Sequence, residues 1–148
     1  MSNKINYVVV KTENKYLIIA KSLVARVMEK SGISDYEILD DFKNDDFVDL
    51  ELQHPFYDLT VPAITADHVT DENGTGAVHI APGHGTDDYL AGIKNNLEVY
   101  NPVDDYGRFI EALPIFGGMK IRDCNEDIIA LLKENDCLLF SEDYEHSY

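Results

Sequence analysis

The chain has 148 residues, 12 of them basic and 28 acidic, for a formal charge of −16, and 45% are hydrophobic. That length suits one domain with one substantial core, while the acidic surface excludes a stand-alone nucleic-acid-binding module because it repels phosphate backbones and anionic lipid. Two cysteines without a Cys-x-x-Cys pair, no apolar run near the roughly 20 residues that span a bilayer, and no signal-like N-terminal segment predict a cytoplasmic protein with free thiols and no membrane partner.

In chain order, residues 5–10 and 16–20 are β-branched and aromatic, and residues 12–15 supply a turn, which predicts a hairpin. Ser22 is placed to cap a helix running to Ser31, with Gly32 at its C-terminal stop. Leu23, Val24, Val27 and Met28 share the apolar face of that helix. Residues 36–42 and 47–52 are strand candidates separated by a turn at Asn44, Asp45 and Asp46. Pro55 and Pro62 forbid a helix between them.

Residues 63–69 and 77–81 read as two strands joined by Asp71-Glu72-Asn73-Gly74. Thr86 is an expected N-cap for a helix ending near Asn95 and Asn96. Residues 101–108 are turn-rich, and residues 119–121 are a candidate short strand. Asn125 is expected to cap a last helix that buries Ile128, Ile129, Leu131 and Leu132 and places Lys133 near its end, where a cation suits the dipole. Residues 137–140 are read as a final strand. Many short strands and three helices, not in strict alternation, predict an α+β fold: a curved or barrel-like mixed sheet with peripheral helices.

The chemistry concentrates in residues 74–89. Gly74, Thr75 and Gly76 form either a hairpin turn or a point of close backbone approach. They lack the lysine and spacing of a phosphate loop. His79 follows in an apolar run, as a strand-face histidine or a pocket residue. His84 lies between two glycines. With Asp87 or Asp88 these histidines admit a metal site, although the spacing matches no known ligand pattern. Asp87 and Asp88 fall in the first turn of a helix, where acidic side chains oppose the dipole. An anionic carboxylate there suits the holding of an ammonium group and makes a poor general acid. His54, His68 and His146 read as isolated, structural or exposed. No Gly-x-Ser-x-Gly elbow is present.

Several words of this sequence together carry a resemblance: His54-Pro55-Phe56, Ala66-Asp67-His68-Val69-Thr70, Gly74-Thr75-Gly76-Ala77-Val78-His79, Ala81-Pro82-Gly83-His84-Gly85 and Asp87-Asp88-Tyr89. They resemble the editing (connective-peptide) domain of isoleucyl-tRNA synthetases. Weaker similarity runs on through Asn101-Pro102-Val103 and Gly107 to Glu145-His146-Ser147-Tyr148. The valyl and leucyl relatives of that domain depart at the places of His79 and of Gly83-His84-Gly85.

The resemblance implies a single editing domain over residues 1–148, excised from a larger synthetase whose catalytic domain binds ATP and Mg. It implies hydrolysis of valine mischarged onto the isoleucine tRNA, after transfer alone or before it as well, with no cofactor and no metal in this domain. Asp88 and His79 become the catalytic candidates: Asp88 holds the α-ammonium, and His79 lines the side-chain pocket and excludes isoleucine by bulk. Gly74, Thr75 and Gly76 let the backbone approach the aminoacyl-adenosine end, and His84 belongs to the loop scaffold. The implied partners are the aminoacylated tRNA 3′ end, the valine moiety and the rest of the synthetase. The family's threonine-rich strand has no counterpart ahead of Tyr7, which opens an alternative: a fragment that binds the tRNA 3′ end or aminoacyl-adenosine without hydrolysing it.

Overall fold

The computed structural model describes residues 1–42 and 50–143. The chain divides into two compact units, one formed by Met1–Gln53 with Leu59–Val99, the other by His54–Asp58 with Tyr100–Tyr148.

The first unit is built on the hairpin. Strand β1 (Tyr7–Thr12) pairs antiparallel with β2 (Tyr16–Ala20), in the register Tyr7 opposite Ala20 and Lys11 opposite Tyr16. Thr12 closes the turn, since its hydroxyl donates to the Lys15 carbonyl and accepts from the Lys15 N–H, both at 3.1 Å. On its other edge β1 pairs antiparallel with β3 (Tyr36–Phe42), with a register shift between Val9 and Val10. The central position of β1 explains its burial. Tyr7, Val8 and Val10 are enclosed, while β3 lies largely exposed along its length.

Between β2 and β3 the chain makes a short 3-10 turn (Lys21–Leu23) and then helix α1 (Val24–Ser31). Val24, Val27 and Met28 of α1, with Leu23, are buried, as their spacing predicts. Full burial of a side chain such as Ile19 or Met28 stabilises the fold by about 1.5–3 kcal/mol. Gly32 ends α1 in the left-handed conformation. Ser22 does not cap it. The 3-10 turn carries Ser22 away from the helix end, and its hydroxyl donates to Asp71 Oδ2 at 2.6 Å.

A second, two-stranded antiparallel sheet joins β4 (Glu51–Gln53) to β5 (Thr60–Pro62). Of the expected strand 47–52, Glu51 and Leu52 lie in β4. Its earlier part and the turn at 44–46 lie outside the described residues, as do residues 145–148. Helix α2 (Thr86–Lys94) is as expected in extent, but Gly85 occupies the N-cap in place of Thr86, and no side chain caps it. Pro82 packs on this helix so closely that a Cβ on Gly92 would lie 2.7 Å from the proline ring.

The second unit contains the aromatic group His54, Phe56 and Tyr57, in which Phe56 meets Phe116 edge-on at 6.1 Å between ring centres. His54 Nδ1 accepts from the N–H groups of Phe56 and Tyr57, so this histidine serves the local turn. Isolated bridges join Val103 to Phe109 and Arg108 to Lys120. Helix α3 (Asn125–Glu134) follows, with Ile128, Ile129, Leu131 and Leu132 half-buried and Lys133 in its last turn. Cys124 holds its N-cap position, correcting Asn125. Cys124 is buried and Cys137 exposed, both as free thiols.

The α+β class stands. Two details differ. All strand pairs are antiparallel and form two open sheets, so no closed barrel exists among the described residues. Residues 63–69, 77–81 and 137–140 are not strands, and residues 119–121 contribute one bridge residue before a 3-10 turn. A strand exists only where a neighbour accepts its ladder. Here the backbone groups of those segments bond elsewhere, as when Ala66 N–H donates to the Met1 carbonyl.

Candidate active site

The glycine loop is tied to the hairpin by long-range bonds. Ala20 N–H, at the end of β2, donates to the Thr75 carbonyl at 2.8 Å. The phenol of Tyr7, wholly buried, donates to the Gly76 carbonyl at 2.6 Å and accepts from Ser2 N–H at 3.0 Å. Burial pushes the Tyr7 phenol above its ordinary range, the Ser2 N–H lowers it, and the charge of Asp71 raises it again. It therefore remains a donor at neutral pH.

Gly76 has φ +78°, and a Cβ there would lie 2.5 Å from Ala20 Cβ. Two constraints thus demand glycine at this position: a left-handed backbone and direct contact with the hairpin. Gly74, at φ +63°, has open space where a side chain would stand. Thr75 Oγ1 accepts from Ala77 N–H at 3.4 Å.

From Gly76 the chain runs through exposed residues 77–79 into the turn that precedes α2. His79 and His84 both present exposed side chains, and His84 contributes through its N–H, which donates to the Ala81 carbonyl at 2.9 Å. Asp87 is exposed on the first turn of α2.

Asp88 behaves differently. Its side chain folds back over the helix start, so that a Cβ on Gly85 would meet its carboxyl carbon at 3.5 Å. Oδ2 accepts from Ala81 N–H at 3.0 Å, and Oδ1 lies 3.4 Å from His68 Nε2. The two side chains are 25% and 29% exposed. Loop and helix start thus converge on one half-buried carboxylate with acceptor capacity beyond these two partners, since it offers about four lone-pair sites.

The structure therefore brings Asp88 and the Ala81–Gly85 turn together and leaves His79 on an exposed stretch of the same loop. Among the described residues no three His, Cys, Asp or Glu side chains gather as a metal site, so His79, His84 and an aspartate do not converge as a ligand set. Sequence reasoning missed His68, whose distance of twenty residues from Asp88 matches no periodic pattern. The available signal was its flanks, Ala66 and Val69, whose apolar character marks an anchored turn. No helix among the described residues is long and apolar enough to cross a membrane.

No family model matches the chain. Its sequence is similar to the isoleucine–tRNA ligase of Syntrophotalea carbinolica, 46% identical over 142 residues, which is 96% of this chain and 15% of that protein. It is likewise 46% identical to the isoleucine–tRNA ligase of Coxiella burnetii over 98% of this chain and 16% of that enzyme, and 45% identical to that of Legionella pneumophila over the same shares. The chain thus spans about one-sixth of the length of these curated relatives. Its fold matches the crystal structure of GlLeuRS-CP1 with a TM-score of 0.69 at 14% identity, over 97% of this chain and 77% of that one. Sequence similarity over nearly its whole length and a shared architecture agree: the chain is homologous to one segment of isoleucyl-tRNA synthetases and has the fold of GlLeuRS-CP1.

Proposed function

We propose that this chain provides the site at which isoleucyl-tRNA synthetase hydrolyses valine mischarged onto its tRNA. The observation that carries this reading is the half-buried Asp88 carboxylate, held against the Ala81–Gly85 turn of a loop whose wording resembles that of the synthetase editing domain. Valine lacks one methylene of isoleucine, a difference worth only about 1–3 kcal/mol to a binding pocket, and this amino-acid pair is the standard example of the need for a second, hydrolytic site.

In the proposed reaction Asp88 grips the α-ammonium and so places the ester carbonyl. Water adds to the carbonyl carbon, and the bond to the ribose oxygen breaks. That oxygen keeps the electron pair and takes up a proton. Valine and deacylated tRNA are released. His79 lines the side-chain pocket and excludes isoleucine, and the backbone of Gly74, Thr75 and Gly76 faces the terminal adenosine. The site takes no cofactor or metal. ATP and Mg belong to the catalytic domain of the parent enzyme, which acts in the cytoplasm and supplies most of the tRNA contacts that a chain of charge −16 does not make.

The test is deacylation of valyl-tRNA(Ile), by this chain and by the full-length enzyme. Asp88→Ala is expected to lower the rate at least about 100-fold, the scale of losing a charged anchor of about 3 kcal/mol in the transition state. His79→Ala is expected to let the site hydrolyse isoleucyl-tRNA. Unchanged rates in the first variant would refute the role of Asp88. The alternative, a binding-only fragment, draws on the exposure of His79 in a stretch without strand partners. Binding of an aminoacyl-adenosine analogue without deacylation would select it.

A further inference from the structure

The Asp88 carboxylate is approached from two sides. The Ala81 N–H reaches Oδ2 at 3.0 Å, and the His68 imidazole lies at ion-pair distance from Oδ1, with Nε2 3.4 Å away. His68 stands on anchored backbone. Ala66 and Val69 on either side of it are 8% and 5% exposed, and Ala66 N–H donates to the Met1 carbonyl at 2.9 Å. The adjacent carboxylate, Asp67, is engaged by Lys4 Nζ at 2.8 Å and Lys94 Nζ at 3.8 Å. Asp88 is therefore the carboxylate set against the imidazole nitrogen.

A carboxylate that turns freely must be immobilised when it takes up an ammonium, whereas one held beforehand binds without that cost. Contacts of this kind are often long in the unliganded state and tighten in the complex. We propose that His68 is a positioning residue, which donates through Nε2 to Asp88 Oδ1 and holds the carboxylate in the orientation that receives the substrate ammonium. The inference rests on the assignment of Asp88 to that ammonium. It adds a second residue, which acts on the amine without touching it.

The experiment is calorimetric binding of two non-hydrolysable ligands to the chain: valine joined to adenosine through an amide, and its counterpart lacking the α-amine. The variants are His68→Ala, His68→Phe (which keeps bulk without a donor), His68→Gln (which keeps a neutral donor) and Asp88→Ala, each checked for native circular dichroism. Removing the donor is expected to weaken the amine-bearing ligand about ten-fold, the scale of one hydrogen bond to a charged group, and to leave the other ligand unchanged. His68→Gln is expected to restore most of the preference for the amine. Equal losses for both ligands, or none, in His68→Ala and His68→Phe would overturn the inference. If Asp88→Ala alone erases the amine preference, His68 falls and Asp88 stands. If Asp88→Ala keeps that preference, or the unaltered chain binds neither ligand, the assignment of Asp88 falls and takes the inference with it.

Discussion

The hairpin and the site loop belong to the same compact unit and are made in opposite ways. In the hairpin, Tyr7, Val8, Val10 and Ile19 are almost wholly buried, and every strand of the sheet has a ladder partner. In residues 77–90 most side chains are exposed, and the segment between Gly76 and α2 has no ladder at all. The hairpin derives its stability from area removed from water. The loop derives its shape from a few directed bonds: Tyr7 and Ala20 at one end, Ala81 and Asp88 at the other. A segment so sparsely packed can expose polar groups to a ligand, provided something rigid holds its ends.

This contrast can be broken most severely at the seam. Gly76→Ala puts a methyl group 2.5 Å from Ala20 Cβ on a left-handed backbone, so it should destabilise the unit by about 3 kcal/mol, combining overpacking with backbone strain. Urea denaturation measures this, and an unchanged midpoint would mean that the loop is not seated on the hairpin. Tyr7→Phe keeps the ring and deletes the hydroxyl between Gly76 and Ser2. The expected loss is about 2 kcal/mol, the cost of leaving two buried partners unpaired.

The smallest effect concerns the exposed pair Lys4 and Asp67. The hydrogen bond and charge of Lys4, with the charge of Lys94 next, hold the Asp67 carboxyl below its ordinary range. A carboxyl depressed in the folded chain adds stability above its unfolded pKa and loses it as pH falls through the folded value. Lys4→Ala should therefore flatten, slightly, the fall in denaturation midpoint between pH 5 and about pH 3. A steep fall unchanged in that variant would assign the acid sensitivity to other carboxylates.

The legible parts of the chain were those with local signals. β-branched and aromatic runs on either side of the turn at residues 12–15 specify a hairpin, and the apolar face of Val24, Val27 and Met28 specifies a helix that ends at Gly32. The word from Gly74 to Tyr89 carried the resemblance, and within it the Asp88 carboxylate accepts from the Ala81 N–H. Residues 63–69 and 77–81 misled because their composition suits a strand, while strand formation depends on an edge that accepts it. Capping failed similarly. Ser22 and Thr86 have the right chemistry, yet the backbone places Leu23 and Gly85 at the helix starts.

The amino-acid order alone thus determined the α+β class, the hairpin and the three helices, because each depends on neighbours within a few turns of chain. Tertiary structure alone decided that Tyr7 would fasten Gly76 across a separation of 69 residues, that residues 77–81 would lack a ladder, and that His68 would stand beside Asp88. Those outcomes depend on which distant groups meet once the core has closed, and no local pattern encodes a meeting between a side chain and a backbone so far away along the chain.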